Sequence, residues 1–137
     1  MELSAVIRRT AAGKQCCGFA EQIRGKRMIK RTISNFSLEQ IARSGQCFRM
    51  ERVSENCYRV IAFGRSLEIL QEGEQCTFFC TPHEFEEIWN DYFDLETDYQ
   101  SYIEEINPND SYLLAAAEWG SGIRILRQDL WEMIASF

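Results

Sequence analysis

Asn56-Cys57-Tyr58-Arg59-Val60-Ile61-Ala62-Phe63-Gly64-Arg65-Ser66-Leu67-Glu68-Ile69-Leu70-Gln71-Glu72-Gly73-Glu74-Gln75-Cys76-Thr77-Phe78-Phe79-Cys80 is the stretch that decides the fold. Tyr58, Val60 and Ala62 alternate with Arg59 and Ile61, and Leu67, Ile69 and Gln71 alternate with Glu68 and Leu70. A period of two sends successive side chains to opposite faces of a strand. The breaks Ser54-Glu55-Asn56, Gly64-Arg65 and Glu72-Gly73-Glu74 are short and polar, as hairpin turns require. Strands are predicted over 46–52, 56–63, 66–71 and 75–80, joined as an antiparallel meander. Just upstream, 27–33 reads as another strand. Residues 36–43 read as a short helix with Ser37 as its cap and Phe36, Leu38 and Ile41 apolar.

Downstream the period changes. Thr81-Pro82-His83-Glu84 is a capping box with proline at the first helical position. It opens a helix predicted to run through Phe93, with Phe85, Ile88, Trp89 and Tyr92 at helical spacing. Asp98 caps a second helix through Ile106, and Asn107-Pro108-Asn109-Asp110 stops it and starts a third that ends at Gly120. Asp129, with Glu132 three residues on, opens a last helix in which Leu130, Met133, Ile134 and Phe137 are apolar. The fold class is α+β: an antiparallel sheet with packed helices, followed by further helices. The expected organisation is a basic extension over 1–26, a sheet-plus-helix domain over 27–107, and the start of a helical domain over 108–137.

The chain has 137 residues, 45% hydrophobic and 26% charged, with two prolines and eight glycines, which excludes a disordered or low-complexity chain. A chain of this length supports a core without disulfides or metal. No apolar run reaches the roughly 18 residues of a membrane span, and the first 30 residues lack the apolar run of a signal peptide. A cytoplasmic protein with reduced thiols is expected.

Charge is unevenly distributed. Residues 1–31 hold eight cations and two acids, whereas the 58 residues between Arg65 and Arg124 contain no lysine or arginine and fourteen acids. The basic arm offers Arg24, Lys26, Arg27, Lys30 and Arg31 for contact with a phosphate backbone. The acidic block, with Glu84, Glu86, Glu87, Asp91, Asp94, Glu96 and Asp98, repels such a backbone; it reads as a solvated helical surface or as a face for a basic partner. Trp119, Trp131, Met133, Ile134 and Phe137 form a candidate apolar partner surface.

No phosphate-binding loop, dinucleotide fingerprint, zinc-protease helix or nucleophile elbow is present. His83 is the sole histidine and sits in the first turn of a helix among acids, where solvation suits it better than catalysis. Cys76 and Cys80 are too far apart for a C-x2-C knuckle, and Cys16-Cys17 alone makes no metal site. The expectation is no metal and no cofactor, with the thiols packing as small hydrophobes.

Two separated segments carry a resemblance. Ser44-Gly45-Gln46-Cys47-Phe48-Arg49-Met50 is similar to the S-G-Q-x-F-R-W signature of the 8-oxoguanine DNA glycosylase/AP lyase family, with Met50 in place of the usual tryptophan. Gly122-Ile123-Arg124-Ile125-Leu126-Arg127-Gln128-Asp129, with Glu132 and Ser136-Phe137, is similar to that family's G-x-R-x-L-x-Q-D-x-x-E-x-x-x-S-F. The intervening Phe85–Trp89 and Tyr92–Leu95 also fit in order and spacing. The resemblance covers about 27–137 and implies a twisted antiparallel sheet like half of a TATA-binding protein.

The resemblance also implies that the carbonyl of Gly45 accepts a hydrogen bond from the protonated N7 of 8-oxoguanine. Oxidation turns N7 from acceptor into donor, so one carbonyl distinguishes lesion from guanine. The resemblance implies a nucleophilic lysine in a hairpin that follows the S-F pair, where this sequence stops, and an aspartate shortly after that lysine. Lys14, Lys26 and Lys30 lie in the arm instead. The expectation is therefore no glycosylase or lyase activity. Three functions remain open: a protein-binding module, such as an inhibitor of a nucleic-acid-processing enzyme (a phage anti-CRISPR is one form) docking through the acidic face; a residual DNA-binding domain; or a fragment of a glycosylase. A protein partner is preferred to DNA on net charge, and no membrane partner is expected.

Overall fold

A computed structural model describes residues 27–135. Arg24, Lys26 and Phe137, named above as candidate contact residues, lie outside the described residues. Five strands form one antiparallel sheet: β1 Ile29–Thr32, β2 Met50–Ser54, β3 Cys57–Ala62, β4 Arg65–Glu72 and β5 Gln75–Phe78, in the order β1-β5-β4-β3-β2. The meander is as the alternation predicts, with Tyr58 opposite Ile69 and Val60 opposite Leu67. β1 then pairs with β5, placing Ile29 opposite Phe78. Among the described residues, β1 and β2 are the outer strands.

The sequence places the second strand too early. Residues 46–49 are a turn, and β2 begins at Met50, because Gln46 spends its hydrogen bonds on a distant segment described below. The β3–β4 turn is also one residue earlier than expected. Phe63 and Gly64 are its two positive-φ residues, at 51° and 67°, the mirror-image geometry that matches strand twist. A phenylalanine is costly there. Its amide and that of Gly64 donate to the Glu132 carboxylate at 3.0 and 3.3 Å, and its ring meets Tyr92 edge-on.

Helix α1, Leu38–Arg43, is capped by Ser37, whose side chain accepts from the Gln40 amide. The helical segment α2 consists of Pro82–Glu84, a π turn Phe85–Trp89, and Asn90–Tyr92. Its capping box forms as read, with Thr81 and Glu84 satisfying each other's backbone amides. The π turn departs from the regular helix expected. The widened turn brings Phe85, Trp89, Tyr92 and Phe93 into the core together; helical spacing alone carries no signal of it. Helices α3 Tyr99–Glu104, α4 Ser111–Trp119 and α5 Leu130–Ala135 follow. Asp98 and Asp110 cap α3 and α4 as the sequence indicates.

The core joins one sheet face to α1 and α2. Leu38, Ile41, Val60, Leu67, Ile69, Phe78, Trp89 and Phe93 are all buried in it. Aromatic rings meet edge-on, with Phe78 and Phe85 centroids 5.0 Å apart and Tyr92 and Phe93 4.9 Å apart, a preferred arrangement for aromatic quadrupoles.

Candidate functional site: the Gly45 loop and its frame

The loop after α1 carries Gly45 at φ +79°, with nothing within 4 Å of the place a Cβ would occupy. Left-handed backbone favours glycine. The residue is exposed, and no hydrogen bond to its carbonyl is seen among the described residues. Ser44 begins the loop by donating its hydroxyl to Ile41 O at 2.7 Å. Phe48, a few residues on, is 62% exposed.

Gln46 fixes this loop from the other side. Its amide nitrogen donates to Arg124 O at 2.9 Å, its amide oxygen accepts from the Leu126 N–H at 3.0 Å, and its own carbonyl accepts from the Gln128 side chain. The two segments that carry the family resemblance, 78 or more residues apart in sequence, are therefore stitched edge to edge. Gly122 continues the seam. Its N–H donates to Gln40 Oε1 at 2.8 Å and its carbonyl accepts from Ser37 N–H at 2.8 Å. A Cβ here would sit 2.5 Å from Ser37 Cβ; only glycine fits.

Arg124 anchors the seam from below. It is buried, and its guanidinium donates to the carbonyls of Ser34, Asn35, Asp94 and Thr97 at 2.9–3.0 Å. It stacks 4.2 Å from the Tyr99 ring centroid. Burial lowers its pKa from the usual value; four carbonyl dipoles are what hold the charge there. Neighbouring Arg127 clamps Asp91 at 2.9 Å and Asp94 at 2.8 Å.

Asp94 therefore leaves the acidic face proposed from the sequence. It is buried, and its carboxylate accepts from Thr97, Tyr99 and Arg127. Burial pushes its pKa upward, but those hydrogen bonds and the Arg127 charge outweigh it, leaving the carboxyl below its ordinary 3.8. The other acids have local work too. Glu84 closes the capping box and pairs with Arg65, Glu86 pairs with Arg31, Glu87 with His83, and Asp91 with Arg127. Glu96 accepts from Asn90, and Asp98 caps α3. Sequence reading caught the capping roles of Glu84 and Asp98 but not the pairings with Arg31, Arg65 and Arg127, because those arginines are distant in sequence.

Of the basic candidates, Arg27 and Lys30 are exposed. Arg31 is engaged with Glu86 and lies over the Phe85 ring at 5.1 Å. Among the apolar candidates, Trp119, Trp131, Met133 and Ile134 are all exposed on α4 and α5. The seam contacts missed from sequence alone are those of the Gln46, Gln40 and Gln128 side chains. Their polar side chains carried no period, and only the resemblance pointed at two of the segments that hold them. Among the described residues no group of His, Cys, Asp and Glu side chains could hold a metal, and no helix is long and apolar enough to cross a membrane. Burial raises the Cys76 thiol to about 12 and the Cys80 thiol to about 11, so both stay protonated and unreactive.

A five-stranded antiparallel sheet backed by helices, with a glycine loop pinned to a returning segment, is the architecture of an N-terminal α+β domain of a DNA glycosylase. The family model for the 8-oxoguanine DNA glycosylase N-terminal domain matches residues 28–134, and the chain belongs to that family. No curated protein matches it. Among solved structures it is similar to MBOgg1 in complex with a low-affinity DNA ligand, at 38% identity and a TM-score of 0.74, covering 80% of this chain and 38% of that one. It is similar to the apo form of the Clostridium acetobutylicum 8-oxoguanine glycosylase/lyase, at 37% identity and a TM-score of 0.74, covering 81% and 39%. The complex of that enzyme with double-stranded DNA bearing cytosine opposite 8-oxoG matches at 34% identity and a TM-score of 0.70, covering 80% and 40%. The chain thus spans about two fifths of the length of these relatives.

Proposed function

We propose that this chain is the base-reading part of an 8-oxoguanine glycosylase, presenting the Gly45 carbonyl to an extruded 8-oxoguanine without itself cleaving the glycosidic bond. The observation that carries this reading is the seam. Gln46, Arg124 and Gln128 hold an exposed loop whose glycine carbonyl has no described hydrogen-bond partner. A rigid acceptor suits N7–H of the oxidised base and repels the N7 lone pair of guanine. A buried acceptor facing an acceptor costs about 1–3 kcal/mol. That is the scale of discrimination a single backbone group can supply.

The non-cleaving half of the proposal rests on amine placement. Among the described residues the one lysine is Lys30, on β1. The Gly45 loop leads into β2 at the opposite edge, four strand spacings or about 19 Å across the sheet. An amine there is out of reach of a sugar whose base sits at Gly45. Borohydride trapping on an 8-oxoguanine:cytosine duplex tests this. No covalent adduct is expected, alongside measurable binding in low salt; an adduct, or no binding at any salt, refutes it. A cytosolic, reducing setting fits the buried free thiols of Cys47, Cys57, Cys76 and Cys80.

A second reading has its own support in the exposed Trp119, Trp131 and Ile134. Large apolar side chains exposed on α4 and on α5 suit a protein surface, either the helical part of a glycosylase or an enzyme that an inhibitor such as an anti-CRISPR would block. Acidic docking is the weaker form of that reading, since Glu84, Glu86, Asp91 and Asp94 are already committed to arginines. Charge reversal at Glu86, Glu87, Asp91 and Asp94 that leaves capture of a partner unchanged would remove acidic docking. Loss of capture on Trp119→Ala with Trp131→Ala would support the apolar surface.

A further inference from the structure

A nucleotide turned out of a duplex brings its phosphates with it, so a loop that reads the base also meets the backbone that carries it. The described cations named from the sequence are poorly placed for that backbone. Lys30 and Arg31 lie on β1, and the Gly45 loop leads into β2 at the other end of the strand order, about 19 Å across the sheet. The loop has cations of its own. Arg43 closes α1 two residues before Gly45, and Arg49 follows Gly45 by four. From residue 43 to residue 50 the chain holds no acid.

Both arginines are held by acids that a phosphate can replace. Arg43 meets Glu39 at 3.3 Å one turn back on α1, where its side chain is 80% exposed, and such solvated pairs contribute little. Arg49 meets Glu132 at 3.6 Å, longer than a good hydrogen bond. Glu132 also accepts from the Phe63 N–H through Oε2 and from the Gly64 N–H through Oε1, so Arg49 can turn away while the carboxylate keeps both turn amides. The backbone of Arg49 stays put, because its carbonyl accepts from the Ile61 N–H at 3.1 Å. Arg124 and Arg127 are different. The first is buried against four carbonyls, and the second bridges two carboxylates at 2.8 and 2.9 Å.

We infer that Arg43 and Arg49 are a phosphate clamp on either side of the Gly45 loop, each taking a backbone phosphate next to the extruded 8-oxoguanosine. The inference rests on the base-reading role proposed for Gly45. A phosphate offers a guanidinium two charged acceptor oxygens in a matching fork, which neither present carboxylate contact does. The seam fixes the acceptor for the base, and the flanking arginines hold the backbone.

Binding titrations of the full chain on two 8-oxoguanine:cytosine duplexes test the clamp. One duplex has native phosphates; the other has neutral methylphosphonates on both sides of the lesion. On the native duplex, Arg43→Gln with Arg49→Gln should weaken binding about tenfold for each arginine and reduce the log–log salt slope by about 0.9 for each. On the methylphosphonate duplex the same double substitution should add no further loss, whereas Lys30→Gln should cost the same on both. Arg43→Lys with Arg49→Lys, which keeps the charge, should restore the salt slope. Equal losses on the two duplexes, no loss on the native one, a salt slope that lysine does not restore, or no binding in low salt overturns the clamp. Base preference is read separately. Equal affinity for 8-oxoguanine and guanine, with the methylphosphonate effect intact, removes base reading by Gly45 and supports the clamp.

Discussion

Gly45 and Gly122 are glycines for opposite reasons. Gly45 needs a left-handed backbone but has open space around it; Gly122 has a normal backbone and no space at all. Gly45→Ala is expected to cost about 1 kcal/mol of stability through its positive φ, and to alter base preference. Gly122→Ala forces Ser37 and Gln40 aside and should destabilise by about 1–3 kcal/mol, seen as a lower thermal midpoint with base preference retained in the folded fraction. Equal losses of stability for the two would contradict this contrast. Arg124→Met leaves four carbonyls without their donor, and a loss of at least about 3 kcal/mol is expected in urea unfolding.

Elements were legible where period and caps agree. The hairpins of β3 to β5 and the capping residues Ser37, Thr81, Asp98 and Asp110 follow from local chemistry. The start of β2 and the π turn in α2 did not, because each is set by long-range partners: Gln46 bonds a segment 78 or more residues away, and four aromatic rings compete for one core. The Asp94 cluster is of the same kind. Its carboxyl is held below 3.8 in the fold, so the charged form is favoured by folding. That stabilisation is present above the unfolded pKa and is lost as pH falls through the folded one. Stability of the native chain should therefore drop on acidification below about pH 4. Asp94→Asn should flatten that portion of the profile, measured by denaturant midpoint against pH; an unchanged slope would remove Asp94 as its source.

For the molecule as a whole, the net charge of −6 opposes DNA, yet the charges are segregated. Arg24, Lys26, Arg27 and Lys30 stand at the start of the sheet domain, and the acids of α2 are largely neutralised by Arg31, Arg65 and Arg127. DNA affinity should fall steeply with salt, with a log–log slope of about −0.9 for each phosphate contacted. Substituting those four cations with glutamate should flatten the slope. Family membership was readable from two short segments; the hydrogen-bonded seam that joins them beneath one loop was visible only in three dimensions.

The central claim is that a single backbone carbonyl, held by that seam, reads the oxidised base. Competition binding of the full chain, at low salt, between duplexes that differ only in 8-oxoguanine or guanine opposite cytosine tests it most directly. One discriminating hydrogen bond predicts a preference of about tenfold for the lesion, abolished by Gly45→Ala. Equal affinity for the two duplexes, or a preference that survives Gly45→Ala unchanged, would contradict it.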